Sequence, residues 1–166
     1  YATIDEALTE YRDANIAGDV TFLLQAETFA ENVDLGFLNN TDYHLTIKGS
    51  DRENSVIQVS EGGTIQLSQS QINLGADANG GAGIGIDESR NITLENFTLR
   101  GSVTAFAGVS AGIYAGDSES ISIKSVNFED ENNYSVYSRN SGSISIEDCL
   151  FKGTVDEAIF DFLAQS

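Results

Sequence analysis

One string decides the fold, and the chain writes it three times: NITLENFTLRG over Asn91–Gly101, SISIKSVNFED over Ser120–Asp130 and SISIEDCLFKG over Ser143–Gly153. Superposed, the copies bring Ile92, Ile121 and Ile144 together, and likewise Leu99, Phe128 and Phe151. A shorter strand-like string precedes each copy. Its apolar anchor (Ile84, Ile113 or Val136) stands eight residues before the isoleucine every time. A fainter copy is expected upstream, with Ile57 eight residues before Ile65 and Ile72 seven further on, and a last one opens at Ile159. The anchors 57, 84, 113, 136 and 159 are then 27, 29, 23 and 23 residues apart. Constant strand spacing with elastic insertions predicts a solenoid whose loops leave on one side.

Within each string apolar and polar residues alternate, as in Ile92 and Leu94, Ile121 and Ile123, Ile144 and Ile146. That is the period of a half-buried strand. The phase slips by one at Asn96, Ser125 and Asp148, and a small polar residue at a slip predicts a bend between two short strands. Each repeat therefore offers three strands that bury their apolar face only when stacked on the next coil. Charge tests that register independently. Three residues after the isoleucines come Glu95, Lys124 and Glu147; eight after come Arg100, Glu129 and Lys152. Both rows alternate in sign, so each charge is expected to face its opposite on the neighbouring coil, at roughly 0.2–1 kcal/mol per pair. These six charges are read as surface pairing rather than catalysis.

On these strings the chain resembles the right-handed parallel β-helix proteins of the pectin-lyase-like superfamily. The front end is similar too. YATIDEAL (Tyr1–Leu8) looks like the helix that covers the first coil in such proteins. Thr3 and Glu6 have capping-box spacing, and Ile4, Ala7, Leu8 and Tyr11 share one helical face. Val20–Leu35, Leu45–Ser50 and Ser55–Ser60 resemble the opening coil of pectin-methylesterase-like sequences, with a "G-x-Y-x-E-x-V" turn. Here that turn reads Glu27-Thr28-Phe29-Ala30-Glu31-Asn32-Val33, with Glu27 in place of its glycine. The resemblance implies an all-β, right-handed parallel β-helix of about five to six coils with an N-terminal capping helix. The whole chain, 1–166, reads as a single domain: 1–18 as the cap, 19–153 as coils, and 154–166 as an incomplete last coil or C-terminal cap.

Length suits one domain with a sizeable core, and sixteen glycines suit the many turns. A net charge of −18 argues against nucleic acid and against anionic membrane surfaces. No segment is long and apolar enough to span a bilayer. The chain opens on Tyr1 rather than methionine, the expectation for a processed protein or an excised module. A single cysteine excludes an intramolecular disulfide, and Cys149 falls at an inward position, as a small core residue. Sequons stand at Asn39, Asn91, Asn96 and Asn133.

Catalytic motifs are thin. His44, the sole histidine, has no serine or cysteine partner for a triad, and zinc would need more His or Cys ligands than the chain owns. The aspartate–arginine–glutamine pattern of pectin-methylesterase-like proteins is not found in recognisable motifs, nor are the "NTD", "DD" and "GHG" motifs of polygalacturonase-like ones. Asn40-Thr41-Asp42 matches only by letters. A pectate-lyase-like calcium site would draw on Asp87 and Asp117, with Arg139 as the basic residue, at the first bends of three successive coils. The favoured reading of the same three residues is a third ionic ladder. No catalytic residue is assigned, and no cofactor beyond that weak Ca2+ candidate.

Tyr114, Tyr137 and Phe160 each follow an inward anchor, so alternation points them outward in one exposed stack, about 4.8 Å apart. Such a ladder suits sugar rings or a partner protein, or stabilises the sheet by cross-strand contact. The loops Gly75–Gly83 and Ser102–Gly112 flank it. At the far end Phe160, Phe162 and Leu163 are expected to need cover, from a closing helix capped by Thr154 and Glu157, from one more strand, or by end-to-end stacking. The functional expectation is a non-enzymatic module of a surface adhesin, filament or cell-surface assembly, extracellular, binding glycan or a neighbouring subunit. It would be a homo-oligomer or part of a longer chain. The alternative is a small or fragmentary carbohydrate-active enzyme acting on acidic polysaccharide.

Overall fold

The computed structural model describes residues 1–38, 42–60, 81–105, 109–129, 131–153 and 156–162, with Phe162 described by its backbone alone. Ile65, Ile72, Asn39, Thr154 and Leu163 lie outside them. Fifteen strands follow one helix, α1 (Ile4–Asp13), among the described residues. Helix α1 begins where expected: Thr3 Oγ1 accepts the Glu6 N–H at 3.0 Å. Its apolar face, Ile4, Ala7, Leu8 and Tyr11, is buried against the first coil, where the Tyr11 ring meets Phe22 edge-on at 5.9 Å.

Coil 1 contributes β1 (Val20–Leu24), β2 (Thr28–Phe29) and β3 (Val33–Asp34). Coil 2 contributes β4 (Leu45–Gly49), β5 (Val56–Gln58) and β6 (Ala82–Asp87); coil 3, β7 (Arg90–Glu95), β8 (Thr98–Arg100) and β9 (Ala111–Gly116). Coil 4 holds β10 (Glu119–Lys124), β11 (Asn127–Glu129) and β12 (Tyr134–Arg139). Coil 5 holds β13 (Ile144–Glu147), β14 (Leu150–Phe151) and β15 (Glu157–Phe162). Strands stack by rank into three five-stranded parallel sheets: A (β1, β4, β7, β10, β13), B (β2, β5, β8, β11, β14) and C (β3, β6, β9, β12, β15). Leu45, Ile92, Ile121 and Ile144 stand in register in sheet A, and Ile57, Leu99, Phe128 and Phe151 in sheet B.

The slips at Asn96, Ser125 and Asp148 are bends with a left-handed backbone, at φ 61°, 50° and 50°. Asn96 suits that conformation, and its side-chain amide also donates to the Gly49 carbonyl at 2.8 Å. Arg52 straps the column of bends from outside. Its guanidinium donates to the Asp148 carbonyl at 2.6 Å and to Asp148 Oδ2 at 3.1 Å, tying a loop of coil 2 to coil 5.

The charge rows stand in the expected register and extend one coil further back, but among the described residues Glu95 pairs with Lys48 and not with Lys124. Lys48 meets Glu95 at 2.9 Å, and Lys124 meets Glu147 at 4.0 Å. Arg100 and Lys152 both meet Glu129, at 2.8 and 3.1 Å. These two hydrogen bonds hold the Glu129 carboxyl below its ordinary pKa.

Two expectations are corrected. Ile57 does not share a row with Ile84: it pairs with Phe29 and Leu99 in sheet B, and the residue that pairs with Ile84 on the preceding coil is Val33. Coil 2 is the long one, with its extra length between β5 and β6; an insertion of nearly one repeat imitated an extra coil. At the far end β15 pairs with β12 and sets Ile159 beside Val136, the further strand allowed by the 23-residue register. Glu157 opens that strand rather than a closing helix.

Glu31, the acidic residue of the opening turn, fastens the cap. Its two carboxylate oxygens accept the Ile4 and Asp5 N–H groups at 2.9 and 3.0 Å, at the helix end whose donors have no intrahelical partner. Glu31→Ala is expected to cost about 1 kcal/mol and to lower the thermal midpoint by roughly 2–4 °C. Circular dichroism melting checks this; an unchanged midpoint would show that α1 docks by its apolar face alone.

Candidate functional site: the outer face of sheet C

Sheet C carries its outward residues in three rows. The first holds Ala82, Ala111, Tyr134 and Glu157; the second Gly85, Tyr114, Tyr137 and Phe160; the third Asp87, Gly116 and Arg139. The second row is an aromatic ladder. The rings of Tyr114 and Tyr137 stack at 5.9 Å and 10°, and those of Tyr137 and Phe160 at 5.2 Å and 22°. Tyr134 joins them, 5.2 Å from Tyr137 and 5.3 Å from Phe160.

Alternation alone hides Tyr134, because it is two residues from the inward Val136. A corner breaks the alternation. A Cβ at Gly83 would lie 2.6 Å from Val59 Cγ1 in the core, so that position faces inward, as does the next residue, Ile84. Gly112 and Ser135 stand at the equivalent places, and the residues before them turn outward. The available signal was the alignment of Ser135 with Gly112 and Gly83, three small residues at one position of successive repeats.

The ladder is less exposed than expected. Tyr114 is 2% exposed and packs with Ala82 and Ala111, so it is the floor of the ladder rather than a contact residue. Tyr134, Tyr137 and Phe160 are half-buried and form the accessible part.

The third row is not an ionic ladder. Asp87 and Arg139 stand in register on either side of Gly116, with a coil between them; Asp117 lies one residue beyond the row, in a left-handed bend at φ 44°. The gap at Gly116 is filled from the side. A Cβ there would fall 2.5 Å from Tyr114 Oη and 2.8 Å from Asp87 Oδ1, so phenol and carboxyl converge over the glycine. Asp87 is only 4% exposed, and among the described residues neither its oxygens nor the Tyr114 hydroxyl has a hydrogen-bond partner. Burial first, then the charges of Glu88, Asp117 and Asp34, push the Asp87 pKa up to about 7. Burial raises the Tyr114 and Tyr137 phenols as well. Asp87 is thus a carboxyl able to change charge near neutral pH, beside a phenol and close to an aromatic stack.

Other candidates fall elsewhere. Among the described residues no group of three or more His, Cys, Asp or Glu is arranged to hold a metal ion, so Asp87 and Asp117 form no such cluster. His44 is exposed at the start of coil 2, where its N–H donates to Asp19 Oδ1 at 2.9 Å. The Asn133 side chain is tied to Asp156 at 2.8 Å, and that of Asn96 to Gly49. Phe160 belongs to the outer ladder and not to the open end of the core. A shallow groove of about 420 Å³ lies between α1 and β1, lined by Tyr1, Tyr11, Ile16 and Phe22 among others. No helix among the described residues is long and apolar enough to cross a membrane.

A pectin methylesterase from Yersinia enterocolitica shares the architecture, with a TM-score of 0.66 at 17% identity over 97% of this chain and 52% of that one. The present chain thus spans about half the length of that enzyme, and a likeness at this identity is one of fold. No curated protein matches the chain in sequence. Residues 21–163 match the family model of the right handed beta helix region, in agreement with the three parallel sheets, and the chain belongs to that family.

Proposed function

We propose that this chain is a non-enzymatic module of an extracellular or cell-surface assembly, and that it binds a neutral saccharide on the outer face of sheet C. The stack of Tyr134, Tyr137 and Phe160, half-buried and held in register by parallel strands, supports this reading. Because the rings cover one another's faces, the stack presents their edges as a continuous apolar strip along the coils, on which the C–H faces of a saccharide chain pack. Asp87, Glu88 and Asp117 beside the ladder, in a chain of net charge −18, disfavour acidic polysaccharides. A protein partner would meet the same rings.

Tyr137 is the test because it contacts every other ring of the ladder. Tyr137→Ala should weaken binding of neutral oligosaccharides (cello-, xylo- and galacto-series) by roughly threefold to tenfold in calorimetric titrations. Unchanged affinity would take the binding face away from sheet C. Asp87 favours a second reading, a small carbohydrate-active enzyme, because a buried carboxyl with a pKa of about 7 suits proton transfer. Turnover of a uronate polymer by the wild type, lost in Asp87→Asn, would favour that reading over the first.

A further inference from the structure

Asp87 stands among glycines. In its row of sheet C the neighbour on coil 3 is Gly116, and on coil 1 it is Gly36, where an added Cβ would lie 4.0 Å from Asp87 Cβ. Gly85, two residues earlier on the same face, stands beside Tyr114 in the aromatic row. No side chain rises from these three positions, and the Asp87 carboxyl and the Tyr114 phenol lean into the space over Gly116. The backbone at Asp87 is fixed, since its carbonyl accepts the Phe37 N–H at 2.8 Å and the Ser89 hydroxyl at 2.9 Å. Its side chain is not. Both carboxyl oxygens are buried without a hydrogen-bond partner among the described residues, as is the Tyr114 hydroxyl.

We propose that Asp87 is a pH switch for the aromatic ladder: with its proton the rings stack as described, and on its loss Tyr114 turns toward the carboxylate and the outer face of sheet C binds saccharide more weakly. The ligand rests on the reading proposed above; the movement of the rings does not. A neutral carboxyl tolerates this site far better than a carboxylate, which would be buried without a donor among like charges. The groups facing Asp87 are Asp34 of coil 1, Glu88 at its own bend, and Tyr114 and Asp117 of coil 3. Arg12 of α1 is engaged at the Asp34 carbonyl, 2.7 Å away, and Arg139 of coil 4 lies beyond Gly116, where it acts on the Tyr114 and Tyr137 phenols. Burial, then the charges of Glu88, Asp117 and Asp34, raise the Asp87 pKa to about 7, so the proton leaves to solvent in the neutral range.

The Tyr114 hydroxyl is the donor that answers the new charge. It converges with Asp87 over a position without a side chain, and a hydrogen bond to an ionised oxygen is roughly twice as strong as one between neutral groups. Making that bond turns a ring that lies 10° from parallel with Tyr137 at 5.9 Å. The disturbance passes to Tyr137, which touches both Tyr134 and Phe160.

NMR of the Tyr114 and Tyr137 rings in the ligand-free chain, from pH 5 to 9, tests the switch without any saccharide. Both phenols ionise above their ordinary value, so in this range they report Asp87 rather than themselves. The expected result is one shared midpoint at about 7 in the wild type and none in Asp87→Asn, whose rings keep the low-pH arrangement. Asp117→Asn removes an opposing charge and should lower that midpoint without abolishing it. Calorimetry with cello-, xylo- and galacto-oligosaccharides should then give an affinity about threefold lower at pH 8.5 than at pH 5.5 in the wild type, and equal affinities in Asp87→Asn. Rings that do not titrate, or that titrate alike in Asp87→Asn, would overturn the switch whatever the chain binds. Titrating rings with an affinity that does not follow them would overturn its control of binding. Titrating rings in a chain that binds no oligosaccharide at either pH would remove the saccharide reading and leave the switch in place.

Discussion

Gly116→Ala is expected to be among the most damaging single-methyl changes in this chain. The new Cβ would enter the space where Tyr114 Oη and Asp87 Oδ1 converge, at 2.5 and 2.8 Å. Neither group has room to withdraw. Tyr114 is packed against Ala82 and Ala111 beneath Tyr134 and Tyr137, and Asp87 is held by a strand paired on both sides. Overpacking of this kind costs about 1–3 kcal/mol. A lowered thermal midpoint is therefore expected, together with weaker saccharide binding, because the tilted Tyr114 ring would lift Tyr137 out of its stack. Gly142→Ala is the control. Its Cβ would meet the flexible Glu119 side chain at 3.3 Å and the Ser118 carbonyl at an ordinary 3.9 Å, and should leave both properties nearly unchanged. Equal effects of the two substitutions in melting and titration would show that the space over Gly116 is not held open for a purpose.

Asp87→Asn is expected to change how stability depends on pH. The folded chain raises the Asp87 pKa to about 7 from an ordinary 3.8, so it holds this proton more tightly than the unfolded chain does. Below about pH 4 the carboxyl is protonated in both states and its stabilising contribution is complete. Between pH 4 and 7 the unfolded chain ionises first, and that contribution is lost as pH rises. Burial sets this sign first, and the charges facing Asp87, Glu88 at its own bend, Asp117 from coil 3 and Asp34 from coil 1, act in the same direction. Arg139 stands across Gly116, one coil too far to pair. Asparagine keeps the shape without the proton, so the variant should match the wild type at pH 4 and exceed it at pH 8. Glu129 slopes the other way, because its lowered pKa gives stability that is lost on acidification; the comparison must therefore be between variant and wild type at each pH. Denaturant titrations at pH 4, 6 and 8 measure the difference, and a difference that does not change with pH would contradict the burial of Asp87.

The three repeated strings made the solenoid, its register and its charge rows legible, because parallel coils stack like residue on like. Alternation found the inward isoleucines and even the bends, where Asn96, Ser125 and Asp148 mark the slips. It failed where local pattern and coil geometry part company. Ile57 sits in a good strand pattern, but an insertion of nearly a repeat length shifted it to another sheet. Tyr134 was hidden by a corner that spends two successive residues inward. Tyr114 follows an inward anchor as Tyr137 does, yet one is buried and the other half-buried, since cover over the sheet's outer face is not a property of the repeat. The meeting of Asp87 with Tyr114 over Gly116 joins residues 27 and more apart on two coils, and only the register of β6 on β9 brings them together.

The central claim is that the outer face of sheet C is the binding face. Heteronuclear NMR titration of the labelled chain with neutral oligosaccharides tests it most directly. The account predicts shifts concentrated at Tyr134, Tyr137, Phe160 and Arg139, with α1 and sheet A unmoved. Shifts centred on the groove between α1 and β1, or none with any oligosaccharide, would contradict it.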